Sequence, residues 1–313
     1  GIGAMFGGTQ FIFVVVFDGV GRTSPVVALS AGSAAAQDYE GSDLRLRGVA
    51  AHVIITPEDR SDIEVAIDNA AGRTPMPLVT VDGGRVLIDG RLRGRISGCL
   101  EDGGADLRGY EDVAGADLPR ITIRTPRDVR IDRGGAGTTE IAASNSVEIE
   151  LSGCSVATIA DTSGQLTVDL AGSGTINAGA ARSLDADVAG SGEIHTGAVS
   201  EGADLDVAGS GRVAIASLNG DLSADGAGSG NITVAAGALS SADIDLAGSG
   251  GVEITAPVEA LNVSIVGSGD VTVNGVVGNL EAEIAGSGSV NAQSVTGTVR
   301  QEAWGSGTVR VGQ

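Results

Sequence analysis

A Gly-Ser-Gly triplet recurs through the second half of the chain at an almost constant spacing. Its first glycine falls at Gly172, Gly190, Gly209, Gly228, Gly248, Gly267, Gly286 and Gly305, which gives intervals of 18, 19, 19, 20, 19, 19 and 19 residues. A period of this length is typical of solenoids, in which each repeat contacts mainly its neighbours. We therefore expect residues 166–313 to form one stack of repeated rungs.

Apolar and polar residues alternate on both sides of each triplet. Residues 184–188 read Leu-Asp-Ala-Asp-Val before one triplet, and residues 270–273 read Asp-Val-Thr-Val after another. A period of two is typical of strands, and no window offers the 3.6-residue period of a helix. Each repeat is therefore predicted to hold a strand, a turn, a second strand and a looser return, which makes the fold all-β.

Two positions of the repeat are apolar in nearly every copy. Four residues after the first glycine stand Ile176, Ile194, Val213, Ile232, Val252, Val271, Val290 and Val309. Two residues before it stand Leu170, Val188, Val207, Gly226, Leu246, Ile265, Ile284 and Ala303. Stacking at about 4.8 Å per rung would bury both positions as continuous columns. We expect the glycines to supply corners with positive φ, and the serines to align as a hydroxyl ladder.

The motif Ala-Gly-Ser-Gly-x-[Ile/Val], as at residues 171–176, resembles the head GIN domain family of autotransporter adhesins. The resemblance is strong over residues 121–313, where Ile-Thr-Ile-Arg-Thr-Pro at 121–126 is similar to the strand that begins such a domain. It is weaker over residues 41–120. The resemblance implies a right-handed parallel β-helix, with about nineteen residues per rung, in the bacterial envelope or outside the cell.

The first 120 residues lack the repeat. Residues 37–120 contain strand-like runs separated by turn signals, which predicts either degenerate early rungs or an N-terminal β cap. Residues 1–36 combine Arg22 with short apolar runs and end in Ala-Ala-Ala, which resembles a secretory signal cleaved after Ala36, or a membrane anchor. We therefore predict an exported protein of the periplasm, the outer-membrane surface or the extracellular space.

Charge restricts the partners of the chain. The net charge is −21, lysine is absent, and only four of nineteen arginines lie beyond residue 136, against twenty-one of forty acidic residues. Binding to nucleic acid or to an anionic lipid surface requires clustered cations, so neither is expected. Cations and basic partners remain compatible with this distribution.

The two cysteines each end a Ser-Gly-Cys triplet, at Cys99 and Cys154. If both occupied the same turn of different rungs, they would meet as a disulfide, which an exported protein retains. Two free, buried thiols are the alternative.

The strand before each triplet carries repeated carboxylates. Three residues before the first glycine stand Asp169, Asp187, Asp206, Asp225, Asp245, Ser264, Glu283 and Glu302. Two residues earlier stand Asp185, Asp204, Asp243 and Glu281. Asp185 and Asp187 stacked on Asp204 and Asp206 would form a four-carboxylate patch suited to calcium. The alternative is a solvated acidic face that discourages edge-to-edge aggregation.

Catalytic residues are not apparent in the sequence. The two histidines are His52 and His195, and His195 falls in an outward, variable column. Neither HExxH nor a Gly-x-Ser-x-Gly elbow occurs. We expect no enzyme and no cofactor. The favoured function is an adhesion or interaction module that contacts an unidentified protein or polysaccharide. A structural envelope spacer and a polysaccharide-binding or polysaccharide-processing β-helix are the alternatives. Trp304 is expected to pack over the end of the stack, and the oligomeric state stays open.

Overall fold

The structure, a computed structural model, describes residues 29–312. The regular secondary structure of these residues consists of strands, apart from one 3₁₀ helix at Gly115–Asp117. The strands of the N-terminal part are β1 (Gly32–Tyr39), β2 (Asp43–Glu58), β3 (Ile63–Asn69), β4 (Leu78–Asp82), β5 (Arg85–Asp89), β6 (Ile96–Cys99), β7 (Ala105–Leu107) and β8 (Arg120–Pro126).

The remaining strands build the repeated stack. In chain order they are β9 (Asp128–Ile141), β10 (Ser146–Gly153), β11 (Val156–Ile159), β12 (Gln165–Gly172), β13 (Thr175–Ala178), β14 (Ala181–Gly190), β15 (Glu193–Gly209), β16 (Arg212–Gly228), β17 (Asn231–Val234), β18 (Gly237–Gly248), β19 (Gly251–Ile254), β20 (Val258–Gly267), β21 (Asp270–Gly286), β22 (Ser289–Val295), β23 (Val299–Gly305) and β24 (Thr308–Val311).

Successive rungs pair in parallel with an offset of about nineteen residues. Asp187 in β14, for example, pairs with Asp169 in β12 on one side and with Asp206 in β15 on the other. The first glycines of ten corners form one unbroken column: Gly135, Gly153, Gly172, Gly190, Gly209, Gly228, Gly248, Gly267, Gly286 and Gly305. The predicted parallel β-solenoid is confirmed, and it begins two corners before the first Gly-Ser-Gly triplet.

The two glycines of each corner are needed for different reasons. Gly190 has φ of 123°, and a Cβ at this residue would lie 2.6 Å from the carbonyl oxygen of Gly172 in the preceding rung. A Cβ on Gly192 would instead lie 2.6 Å from Cδ2 of the core residue Leu170. The first glycine is therefore required both by its positive φ and by the close approach of the preceding rung. The second glycine of the corner leaves space for a core side chain.

The serine between the two glycines links the rungs through its backbone. Ser191 donates its N–H to the carbonyl oxygen of Gly172 at 2.9 Å, and the other corner serines repeat this bond. Within residues 29–312 no hydrogen bond joins one corner hydroxyl to the next, so the expected serine ladder is wrong. The backbone N–H of each corner serine therefore makes the hydrogen bond to the preceding rung, and the serine hydroxyl faces solvent.

The two apolar columns foreseen in the sequence are buried, except at Gly226 and in the last rung, where Ala303 is exposed and Val309 is half-buried. Ile194 and Val213 are fully inaccessible in the first column, and Leu170 is 1% exposed in the second. Each such side chain contributes about 1.5–3 kcal/mol when it leaves water. Gly226 interrupts the second column between Val207 and Leu246, and this rung therefore contributes no side chain to the column.

One rung and a cap form the N-terminal end. Strand β2 pairs in parallel with β9 along both of its halves, while β5 and β8 lie on its other edge. Strands β4 and β3 then add antiparallel to β5 and β8, and β1 adds antiparallel to β3. A parallel rung at this end is therefore followed outward by antiparallel strands.

The predicted signal-like segment 1–36 lies mostly outside the described residues. Residues 32–36 belong to β1, which pairs with β3. Cleavage after Ala36 stays a prediction. Among residues 29–312, no helix has the length and apolar character needed to cross a membrane.

Arg133 is fully buried within the first corner. It stands in the inner column between Leu46 and Leu151, where the register of β2 against β9 shifts. Its guanidinium donates hydrogen bonds of 2.7–3.2 Å to Val49 O, Ala51 O, Ala136 O and Thr139 Oγ1. Burial lowers the pKa of Arg133 to about 10, so it stays protonated at neutral pH. The side chain therefore satisfies carbonyl groups that the register shift turns inward.

The last rung consists of β23 and β24. Trp304 is in register with Ala285 and is 58% exposed. The expectation that Trp304 covers the end of the core is wrong, because side chains alternate along a strand and its neighbour Ala303 takes the inner position.

Candidate functional site

The acidic face is the outward side of the strands that precede the corners, from the rung of β10 to that of β21. Its first column consists of Glu150, Asp169, Asp187, Asp206, Asp225, Asp245, Ser264 and Glu283. Its second column consists of Glu148, Thr167, Asp185, Asp204, Ser223, Asp243, Asn262 and Glu281. The parallel register places these side chains one rung apart, so like charges lie side by side along the stack.

Mutual repulsion raises the affinity of this face for protons. Burial among neighbouring side chains raises the pKa of Asp185, Asp187, Asp206 and Asp225 above the ordinary value of 3.8. The charges of adjacent carboxylates raise the pKa of each of them further. Close like charges disfavour the ionised form. The face is therefore electrostatically strained at neutral pH.

The four carboxylates proposed for calcium are neighbours in the structure. Asp185 pairs with Asp204, and Asp187 pairs with Asp206. Residues 29–312 nevertheless contain no group of three or more acidic, histidine or cysteine side chains arranged to hold a metal ion. The calcium site stays a prediction, and the four residues are part of the acidic face.

Arginines and amides limit the repulsion at the ends of the columns. Towards the N-terminal end, Arg130 lies 3.4 Å from Glu148 and Arg45 lies 2.9 Å from Asp132. In the later rungs, Asn262 donates a 2.6 Å hydrogen bond to Asp243. The densest uncompensated charge is consequently in the middle of the stack.

An exposed apolar column runs beside the acidic face. It consists of Ala171, Ala189, Ala208, Ala227, Ala247, Val266, Ala285 and Trp304, in register from rung to rung. Val266 is 60% exposed. Around Gly226 a groove of about 430 Å³ opens between this column and the carboxylates of Asp206, Asp225 and Asp245. The sequence held the signal for this groove, since Gly226 breaks an otherwise apolar column, but its position beside the carboxylates required the fold.

The two cysteines form a disulfide that fastens an insertion to the stack. Their Cα atoms lie 5.8 Å apart. Cys154 follows Gly153 at a corner, at the position that Ser173 takes in the next rung, whereas Cys99 ends β6 outside the rungs. The disulfide considered from the sequence therefore forms, and not the two free thiols, although the two cysteines do not occupy the same turn of different rungs. Residues 90–118 are an insertion whose apolar residues, which include Leu92, Leu107 and Val113, form a small core together with Ala50 and Ala136 of the stack.

His52 and Asp102 fix the other end of this insertion. The ring of His52 makes hydrogen bonds of 2.7 Å to Thr138 Oγ1 and to the carbonyl oxygen of Gly115. Asp102 accepts the backbone N–H groups of Gly104 and Gly115, and these bonds lower its pKa. His52 thus has a structural role that the sequence did not indicate. His195 is partly exposed beside Glu193, at 3.2 Å, in the outward column predicted for it.

The family model that matches the chain carries the description "Putative auto-transporter adhesin, head GIN domain", and it covers residues 120–255 and 227–313. The chain belongs to this family. The GIN domain thus comprises the stack from β8 to β24, with the acidic face, while β1 to β7 and the disulfide-linked insertion precede the matched residues. The resemblance seen in the sequence over residues 121–313 is confirmed.

Several solved structures resemble this GIN-domain protein at low identity. A putative adhesin from Parabacteroides distasonis ATCC 8503 is 15% identical, with 90% of this chain and 97% of that chain covered and a TM-score of 0.43. A putative lipid binding protein from the same strain is 17% identical, with coverages of 88% and 94% and a TM-score of 0.36. A putative adhesin from Parabacteroides merdae ATCC 43184 is 14% identical, with the same coverages and a TM-score of 0.35. The search of curated proteins gave no match.

Proposed function

We propose that this protein is an exported, non-enzymatic component of the bacterial cell envelope or surface, and that it makes adhesive contacts through its acidic face. The observation that carries the proposal is the repetition of carboxylates on one side of nearly every rung. A flat face with one chemistry along its length suits an extended partner, whereas small ligands are usually enclosed in a pocket. Membership of the adhesin head GIN domain family supports the same role.

The partner that fits this face is a basic polypeptide surface. The carboxylates would attract clustered lysine or arginine side chains, and oppositely charged patches raise association rates and select partners. The apolar column beside the carboxylates offers contact to the aliphatic stems of such long side chains. Contact with a cation would also relieve the repulsion between Asp187 and Asp206.

A structural envelope spacer is the second candidate, and the uniform rungs favour it. Each rung adds about 4.8 Å to the length of the stack. A spacer needs that length but no specific face. The two functions therefore differ in whether the carboxylates matter for contact.

The test compares binding of the full chain to defined surfaces. The protein is coupled to beads, and retention is measured on glass coated with polyarginine, with neutral dextran or with neither, at physiological salt. We expect several-fold greater retention on polyarginine. The variant Asp187→Asn/Asp206→Asn/Asp225→Asn should lose most of this retention. The matched control Glu140→Gln/Glu253→Gln/Glu259→Gln removes three charges outside the acidic face and should retain it.

Three outcomes would contradict adhesion through this face. Equal loss in both triple variants would mean that net charge alone controls retention. Equal retention on all three surfaces would favour the spacer, and a preference for dextran would favour a polysaccharide-binding role.

Location is tested separately, by protease treatment of intact cells that produce the full chain. If the protein resisted the protease until the envelope was disrupted, a position at the surface or outside the cell would be contradicted.

A further inference from the structure

Among residues 29–312, strand β23 lies at the C-terminal end of the stack and has one unpaired edge. Within residues 29–312 it pairs with β21 and with no second strand. Its inward residues are uncovered: Val299 is 44% exposed, whereas its register partner Leu280 is 2% exposed. Ala303 is likewise exposed above the fully buried Ile284. An edge that leaves both peptide groups and apolar side chains open is a template for pairing with another strand.

The outward side of this edge carries opposite charges two residues apart. Arg300 stands in register with Glu281, and Glu302 stands in register with Glu283. Two of the four arginines beyond residue 136, Arg300 and Arg310, lie in this one rung. The last rung therefore differs from the acidic rungs below it, because it reads Arg-Gln-Glu at residues 300–302. When a second copy of this strand runs antiparallel to the first, Glu302 of one copy lies opposite Arg300 of the other. The charges of the edge are therefore complementary to those of a second copy.

We infer that β23 is a self-association edge, on which two copies of this chain join tail to tail with their β23 strands antiparallel about Gln301. In this register, Arg300 of each copy lies opposite Glu302 of the other, and both face outward. Residues directly opposite in an antiparallel pair share one side of the sheet and interact most strongly. Val299 of each copy then lies opposite Ala303 of the other on the inner side.

Trp304 gains a partner in the same arrangement. It is an outward residue two positions beyond Glu302, so its diagonal neighbour across the pair is Arg300 of the second copy. Diagonal neighbours lie within reach of aromatic and long side chains, and an arginine over an indole ring is attracted to it. The 58% exposure of Trp304 in one copy would fall on association.

A head-to-tail arrangement fits less well. Among residues 29–312, the N-terminal end presents β4 on this side of the stack, and the charged residue of β4 is Asp82. Strand β4 would therefore oppose Arg300 and Glu302 with a single acid. Head-to-tail contacts also continue into open filaments, whereas a two-fold contact closes at the dimer. The self-complementary charges favour the closed dimer.

Sedimentation of the full chain and its charge variants tests this edge. We expect a dimer of the unmodified protein that is weakened about tenfold or more by Arg300→Glu and, separately, by Glu302→Arg, since each places like charges opposite each other twice. An equimolar mixture of the two variants should regain the dimer, because one copy then carries two acids and the other two arginines. The charge-swapped Arg300→Glu/Glu302→Arg should also dimerise.

The matched control is Arg212→Glu, which reverses an arginine in the middle of the stack and should leave the dimer unchanged. Circular dichroism establishes that each variant is folded. A monomeric unmodified protein would overturn the inference, as would filaments, or single variants whose mixture stays monomeric. These variants leave the acidic face unchanged. Loss of the dimer can therefore be distinguished from loss of adhesion through that face.

Discussion

Asp187 and Asp206 are register partners on neighbouring parallel strands, and both carboxyl groups point outward from the acidic face. Burial raises the pKa of both, and for Asp206 the charge of Asp187 raises it further. In the interval between these raised values and the ordinary 3.8, the native state binds more protons than the unfolded state. These groups therefore stabilise the fold as pH falls through their native pKa values, and the gain is lost as pH rises.

We expect Asp187→Asn to raise the melting temperature at pH 7. Two like charges one rung apart repel by about 0.9 kcal/mol in water before screening, so relief of up to about 1 kcal/mol corresponds to about 2–4 °C. The increase should diminish as pH falls towards the ordinary value of 3.8, because the raised pKa of the wild-type Asp187 lets its carboxyl take up a proton in the native state first. Thermal unfolding across this pH range checks both statements. Asp102→Asn is the opposite case, since the pKa of Asp102 is lowered, and it should reduce the melting temperature at pH 7.

Replacement of Arg133 should destabilise the first rungs strongly. Arg133→Leu matches the leucines above and below it in the column, yet it removes the guanidinium donors of three inward carbonyl oxygens. We expect a loss of about 3 kcal/mol, because each buried unsatisfied polar group costs about 1–3 kcal/mol and the added leucine offsets part of that. Chemical denaturation measures it. Arg130→Leu, at an exposed ion pair, should change stability by less than about 1 kcal/mol. Equal effects would contradict a structural role for the buried guanidinium.

The corner glycines allow conformational and steric costs to be separated. Gly190→Ala combines a positive φ with overlap against Gly172, so we expect a loss of about 2–4 kcal/mol. Gly83 also has a positive φ, but open space surrounds its Cβ position, and Gly83→Ala should cost about 1 kcal/mol. Denaturation midpoints give the difference. Similar losses at both positions would mean that stacking imposes no close approach at the corner.

Loss of the disulfide should lower stability by about 4 kcal/mol in the chain-entropy model for a closed loop of 55 residues. The double variant Cys99→Ser/Cys154→Ser and the reduced wild-type protein should unfold alike. Unfolding with and without reductant measures this. A loss confined to the insertion would appear as a separate early transition, seen in proteolysis between residues 90 and 118, while the rungs stay folded. No change on reduction would mean that His52 and the small core hold the insertion without the crosslink.

The rungs were predictable because each one repeats the same local rules. Alternation set which side chains face inward, and the glycine spacing set the register, so burial of Ile194 or Val213 followed directly. The insertion was not predictable, because the position of Cys99 depends on contacts such as that of His52 with Gly115 rather than on any repeat. Arg133 was missed for a related reason. A single arginine in a basic region gives no sign that carbonyl groups will surround it.

The candidate site was predicted only as a pattern of charge. The sequence placed Asp185, Asp187, Asp204 and Asp206 together correctly, because parallel stacking brings equivalent positions side by side. It did not reveal the exposed apolar column as a surface, nor the direction of Trp304, since both depend on which side of the strand faces solvent in the last residues before each corner.

From β14 onward, rungs of unequal length are accommodated on one side of the stack. Register shifts occur between Ala181 and Ser183, between Gly220 and Asp221, and between Val273 and Val276, all in the return segment that follows the second strand of a rung. The acidic columns keep their pairing through every one of these rungs. The return side is therefore the place to graft a peptide tag or a fluorophore, since added residues there are absorbed locally and leave the opposite surface with its spacing intact.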